Sequence, residues 1–189
     1  MEAVLLFFTS LGVVVAAELG DKTQLLTISF TTRYSRKAIF LGAMTGLGLV
    51  TVVGVVIGIA LYASLPIFWI KILSAGIFIA FGLWTLLRRK KELEPEEVPE
   101  GKVFFRSLLL IALAEMGDKT QLAVISLTAS SGLPLAVLAG ALLGFVFVVG
   151  VGVMIGQEIG KRVGLRWIVL ASGILFIVIG VVLAVEAML

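Results

Sequence analysis

The sequence contains no cysteine, no histidine and no asparagine. Without cysteine there can be no disulfide and no thiolate metal site. Without histidine there is no Ser-His nucleophile pair and no imidazole ligand. Side-chain ligands must come mostly from the oxygens of Glu, Asp, Gln, Ser and Thr. Charge is scarce as well: 14% of the 189 residues are Asp, Glu, Lys or Arg, against 60% hydrophobic residues and a mean hydropathy of +1.20. Soluble domains are about 45–50% apolar, so the composition points to an integral membrane protein. Too little polar chain remains for a folded catalytic unit in water, and an enzyme is not expected. A cleavable signal is not expected either, because the N-terminus has no basic region, only Glu2, before its apolar run.

Hydropathy, turn residues and charge clusters divide the chain into six candidate spans, at about 3–30, 38–63, 66–87, 104–129, 133–156 and 166–188. Each is long enough for the roughly 20 residues that cross a bilayer core. Trp69, Trp84 and Trp167 suit interfacial anchors.

Within the first span lies Glu18-Leu19-Gly20-Asp21-Lys22-Thr23-Gln24-Leu25, and the same block returns 97 residues later as Glu115-Met116-Gly117-Asp118-Lys119-Thr120-Gln121-Leu122, changed at one position. Asp21 and Asp118 are the only aspartates in the chain. An ionisable group at membrane depth costs roughly 2.5–3.5 kcal/mol even on the lenient insertion scale, so six of them would cost on the order of 15–20 kcal/mol uncompensated. The duplicated block is therefore where function is expected.

The repeat extends beyond the motif. Ser29 matches Ser126 and Gly76 matches Gly173 at the same offset, while Gly42, Gly46, Gly54 and Gly58 match Gly140, Gly144, Gly152 and Gly156 after a slip of one residue. The expected fold is an all-α integral membrane protein of six transmembrane helices, built as two three-helix repeats over 1–87 and 104–189. A charged connector over 88–103, with Pro95 and Pro99, joins them. The 1–2, 3–4 and 5–6 connections hold twelve Lys and Arg, whereas the opposite side holds only Lys71. The positive-inside rule then places the connector in the cytoplasm and both termini outside. Three spans per half make the second half inverted, an architecture whose substrate site sits near the midplane between the halves. The glycine pairs at four-residue spacing read as a close-packing helix face.

On one continuous helix, Glu18, Asp21 and Ser29 would lie near a common face, as would Glu115, Asp118 and Ser126. A pseudo-twofold axis would bring up to four carboxylates around one cavity. Thr23, Gln24, Thr120 and Gln121 could add neutral oxygens, and Gly20 and Gly117 could loosen the helix and free backbone carbonyls. Such a donor set suits hard divalent cations, Ca²⁺, Mg²⁺ or Mn²⁺. Carboxylates in a low-dielectric pocket also take up protons readily, which is the physical basis for exchanging a metal against H⁺. Lys22 and Lys119 put positive charge beside them, either snorkelling to an interface or pairing with a carboxylate and releasing it when a cation arrives. The bland alternative is a neutralised network that only pins the spans together. Glu158 and Glu186 are assigned no role, and the connector glutamates form a solvated face.

The two blocks resemble the E-x-G-D-[KR]-[ST] signature of the GDT family of cation exchangers, which includes Golgi and chloroplast calcium/manganese transporters and bacterial manganese exporters. The resemblance covers essentially the whole chain. It implies Glu18, Asp21, Glu115 and Asp118 as cation ligands, Thr23 and Thr120 at the hydroxyl positions and Lys22 and Lys119 at the basic ones. It further implies export of Mn²⁺ or Ca²⁺ from the cytoplasm across an inner membrane, coupled to proton entry, with the metal as cargo and no cofactor. Its expected partners are lipid, the metal ion and protons, and no nucleic acid. Two other classes stay open on the residues alone: an exporter of small organic cations or amino acids, and a non-transporting membrane subunit whose acidic and basic residues hold a partner helix.

Overall fold

A computed structural model describes residues 1–31, 34–87, 102–162 and 165–188; within its helices some side chains, including those of Lys22, Ser29 and residues 155–173, fall outside the description. The expected connector charges from Arg88 to Gly101 and the side chains of Glu158 and Trp167 therefore lie outside the described residues. Among the described residues there are eight helices and no strand: α1 Glu2–Glu18, α2 Lys22–Thr31, α3 Arg36–Ser64, α4 Ile67–Leu87, α5 Val103–Glu115, α6 Lys119–Ser131, α7 Pro134–Arg162 and α8 Leu165–Met188. Three stretches in this set are long and apolar enough to cross a membrane unaided, Arg36–Ser64, Ile67–Trp84 and Pro134–Met154.

The first and fourth expected spans are each broken in two. α1 and α2 have 17 and 10 residues, and α5 and α6 have 13 each, all short of the roughly 20 that a single spanning helix needs. The break is local and has the same form twice. Leu19 adopts φ −59° and ψ 117°, Gly20 has φ +71°, and the Asp21 N–H donates to the Glu18 carbonyl at 3.1 Å. Met116 (φ −66°, ψ 117°), Gly117 (φ +76°) and the 3.1 Å bond from Asp118 N–H to the Glu115 carbonyl repeat it. This is a type II β-turn, whose third position requires positive φ and hence favours glycine. The idea that Glu18, Asp21 and Ser29 share one helical face is thereby corrected, because the helix ends at Glu18 and restarts at Lys22.

Packing follows the duplicated glycines. A Cβ on Gly42 would fall 2.5 Å from the Phe104 carbonyl oxygen and one on Gly46 2.7 Å from that of Leu108, so α3 lies directly on α5. Farther along the same helix, Gly54 faces Gln121 and Val124 and Gly58 faces Thr128, on α6. α7 repeats the pattern against the first half. Gly140 meets the Phe7 carbonyl, Gly144 meets Leu11 and Val14, and Gly152 meets Gln24 and Thr27. Each long helix thus runs parallel to the broken pair of the other half, touching it on both sides of the turn. The absence of side chains lets backbones approach, so dispersion contacts replace what bulk apolar area cannot supply between helices in lipid. α4 packs chiefly on α8, where Gly180 abuts Ala75 and Ile79.

Buried residues line this seam between halves, among them Val13, Val14 and Ala17 of α1, Ile39, Ala43 and Leu47 of α3, Ile111 of α5 and Val137, Ala141 and Phe145 of α7. The outward faces carry Leu49, Val53, Val56, Leu109, Leu113 and Phe147, all exposed. Trp69 and Trp84 are exposed as well. An apolar exterior around a core that contains charge is the reverse of a soluble protein and fits lipid as the surrounding medium.

Candidate functional site

The two type II turns place a helix C-terminus and a helix N-terminus back to back in each half. Breaking a helix exposes carbonyls at the end of the first piece and N–H groups at the start of the second, with partial negative and positive charge respectively. Gln24 and Gln121 stabilise the turns. The side-chain oxygen of Gln121 accepts the Gly117 N–H at 2.6 Å, and that of Gln24 accepts the Gly20 N–H. These glutamines therefore act first as brackets four residues downstream, which explains their fixed spacing from the glycine. The Gln121 amide nitrogen lies 3.4 Å from the Val50 carbonyl of α3, linking the bracket to the other half.

The glutamates that close α1 and α5 point into the seam and are almost fully buried, at 1% and 2% exposure. Each is met by a threonine of the opposite copy. The Thr120 hydroxyl donates to Glu18 Oε1 at 2.5 Å, and the Thr23 hydroxyl donates to Glu115 Oε1. The second oxygen of Glu18 is buried with no hydrogen-bond donor among the described residues. A buried carboxylate oxygen in that position is costly unless a proton, a cation or a donor reaches it.

The aspartates are joined by lysine. Lys119, only 5% exposed, forms an ion pair with Asp21 of the other copy, and its Nζ lies 3.7 Å from Asp118 Oδ2. Lys119 thus bridges the two halves and does not snorkel to an interface. The side chain of Lys22 lies outside the described residues, as does that of Ser29; Ser126 is buried on α6. Among the described residues, no three acidic side chains stand in a group that could hold a metal together. In this arrangement the carboxylates are engaged by threonine hydroxyls and by the Lys119 ammonium.

Sequence reasoning missed Thr51. It sits on α3, 2% exposed, and lines a small, mostly apolar cavity with Glu115, Thr120, Gln121, Leu47, Val50, Val124 and Phe145, while its hydroxyl donates to the Leu47 carbonyl. The cavity is close to the lower limit of space for one water-sized sphere. The available signal was one of two threonines amid the glycine-spaced apolar residues of the second span. Glu186, assigned no role, pairs with Lys71 at 3.4 Å on the α4–α8 face.

A model of the divalent cation/proton antiporter family GDT1 matches residues 6–93 and 103–189. The GDT1-like protein sll0615 of Synechocystis is 32% identical over 197 residues, covering 93% of this chain and 95% of its own. GDT1-like protein 5 of Arabidopsis thaliana is 26% identical, covering 93% of each. A Vibrio cholerae protein named "Putative manganese exporter" is 34% identical over 155 residues, with 78% of this chain and 74% of its own covered. No solved structure gives a significant match.

Proposed function

The chain belongs to the GDT1 family of divalent cation/proton antiporters, and we propose that it exports Mn²⁺, with Ca²⁺ as a second cargo, from the cytoplasm in exchange for protons. It is a membrane transporter and not an enzyme. The observation that carries the finer reading is the crossed engagement of the two motifs, Thr120 on Glu18, Thr23 on Glu115 and Lys119 on Asp21. Glu18, Glu115 and Asp21 are each held by a residue of the other copy, so a movement of one half against the other must remake these three contacts.

In the proposed cycle, Glu18, Asp21, Glu115 and Asp118 are the cation ligands. Lys119 stands in for the cation and leaves the aspartates when Mn²⁺ enters from the cytoplasm. The halves rock about their glycine-lined seam, and protons from outside then neutralise the carboxylates and release the metal. Lys119 returns to Asp21, which resets the site. Six spans in two inverted halves fit this cycle, with the connector cytoplasmic, both termini outside and the protein in the inner membrane. The parallel register of α3 on α5–α6 and of α7 on α1–α2 supports that topology. The cavity beside Glu115 has room for about one water-sized sphere, which argues against an amino acid or organic cation as the cargo.

The test is metal flux in proteoliposomes, followed with an interior metal-sensitive dye under an imposed pH gradient. Acid-interior vesicles should take up Mn²⁺. Glu18→Gln and Asp118→Asn should abolish uptake while the protein stays folded in the membrane; near-normal flux in both variants refutes the reading.

A further inference from the structure

Thr128 on α6 is wholly shielded from solvent, yet its hydroxyl meets no hydrogen-bonding group among the described residues. Threonines elsewhere in the chain are satisfied. Thr27, Thr31, Thr45 and Thr51 each donate to a carbonyl three or four residues back, the usual resort of a hydroxyl in a membrane helix. Thr31 holds the position that matches Thr128 in the first repeat, at the same offset of 97. The two copies thus carry the same side chain, bonded in one and orphaned in the other. A threonine that only fills space gains nothing over valine, which has the same shape and no polar atom to desolvate.

The place of Thr128 limits what its hydroxyl can serve. The side chain packs on Gly58 of α3, where an added Cβ would fall 2.6 Å from the Thr128 Cβ. One turn farther along both helices, the half-exposed Tyr62 covers Gly132, its ring 2.7 Å from where a Cβ would stand. Toward the motif, Gly54 faces Gln121 and Val124 on the same side of α6. Val124 also lines the small cavity that meets Glu115, Thr120 and Gln121. Thr128 therefore stands between a tyrosine at the surface and the second motif, about 10 Å from Gln121 along the helix axis. It lies toward the end of α6 that the topology proposed above turns outward.

A lone neutral hydroxyl is a poor seat for a divalent cation, which takes about six or more oxygens. It can accept and donate at once, which is what passing a proton between waters requires. We propose that protons from the outer side reach Glu18 and Glu115 along the α3–α6 seam, and that Thr128 is the hydroxyl that relays them. When the seam opens at Gly58, water reaches Thr128 from the side of Tyr62. The Thr128 oxygen accepts a proton from a hydronium on that side, and its own proton passes to a water on the motif side. The hydroxyl is regenerated and one H⁺ has moved inward. In the closed seam the hydroxyl is left without a bond, which the hydrated seam supplies. This rests on the transport reading above and names the route of its coupling ion.

The test uses proteoliposomes of wild type, Thr128→Val and Thr128→Ser and reads two fluxes. One is Mn²⁺ uptake driven by an acidic interior; the other is exchange of radioactive for unlabelled Mn²⁺ at equal pH on both sides, which moves no proton. Uptake should fall roughly tenfold in Thr128→Val, less than the loss expected for a group that itself holds the reacting proton, because water can partly stand in. Exchange should be unchanged. Thr128→Ser keeps the hydroxyl and should restore uptake. Thr128→Val should melt in detergent at or above the wild-type temperature, because it removes a buried unsatisfied group. Wild-type uptake in Thr128→Val, an equal loss of uptake and exchange, no recovery in Thr128→Ser, or a lowered melting temperature in Thr128→Val overturns the assignment. Wild-type vesicles that exchange Mn²⁺ but take none up on a pH gradient overturn the proton route while metal transport stands. Wild-type vesicles with neither flux overturn the transport reading, and the route with it.

Discussion

The Thr120 hydroxyl donates to the Glu18 carboxylate at 2.5 Å, although the two residues are 102 positions apart. Its counterpart, Thr23 on Glu115, crosses the seam in the other direction. Each bond satisfies one oxygen of a carboxylate that water does not reach, and hydrogen bonds to charged groups contribute about 1.5–3 kcal/mol. Thr120→Val keeps the volume and removes the donor, leaving neither oxygen of Glu18 with that partner. The melting temperature in detergent should fall clearly, and Mn²⁺ flux should drop at least tenfold, with Thr120→Ser recovering most of both. If Thr120→Val melts and transports like wild type, the crossed bond has no part in either property.

Lys119 gives a prediction of opposite sign for binding and turnover. Its ammonium bridges Asp21 and Asp118 from within the seam. Removing one partner of a buried ion pair costs about 3–5 kcal/mol, because the remaining charge is left uncompensated. Lys119→Gln should therefore be less stable alone but gain more melting temperature from added Mn²⁺ than wild type does. Its apparent Km for Mn²⁺ should fall, since no tethered cation competes, and its kcat should fall too, since nothing displaces the metal on reset. A raised Km with unchanged kcat would contradict the proposed exchange of ammonium for metal.

Glycines that look alike in the sequence should respond differently to the same substitution. At Gly140 an added methyl would sit 2.3 Å from the Phe7 carbonyl oxygen, whereas at Gly76 it would meet nothing within 4 Å. Gly140→Ala should force α7 off α1 and lose about 1–3 kcal/mol by overpacking. Gly76→Ala should be neutral or slightly stabilising, since alanine is the better helix former. Paired thermal melts in one detergent would check this, and equal losses at the two sites would contradict the packing register.

The sequence carried the helical class, the duplication and the motif residues, because hydrophobic run length and a repeated eight-residue block need no tertiary information to be seen. It also placed the glycine faces of α3 and α7, though not what they face. What it could not carry was the turn. Glu18, Leu19 and Gly20 sit in an apolar run that periodicity alone reads as one helix, and only the dihedral preference of Gly20 and Gly117 hints at the break. The bracket role of Gln24 and Gln121 depends on that turn and was hidden with it. Thr51 was hidden for another reason: like Thr45 in the same helix, it satisfies its hydroxyl on the preceding turn. That it lines one cavity with Glu115 and Thr120, more than sixty positions away, shows only in the folded chain.

The turn itself can be tested where sterics do not interfere. Gly117 has φ +76°, and a Cβ built there would meet no atom within 4 Å, so any cost of Gly117→Ala is conformational. For an L-residue the left-handed region costs roughly 1–2 kcal/mol. Asparagine tolerates that region better than alanine, so Gly117→Asn should lose less stability despite its larger side chain. A helix running through the break, which alanine would favour, would turn the residue-117 N–H to the carbonyl four residues back and strip Gln121 of its bracket bond. Gly117→Ala should then lose transport more completely than stability, with Mn²⁺ binding weakened in proportion to flux. The order glycine above asparagine above alanine in both melting temperature and flux is the signature of a required turn. If alanine performs as well as glycine, the break between α5 and α6 is not needed for function.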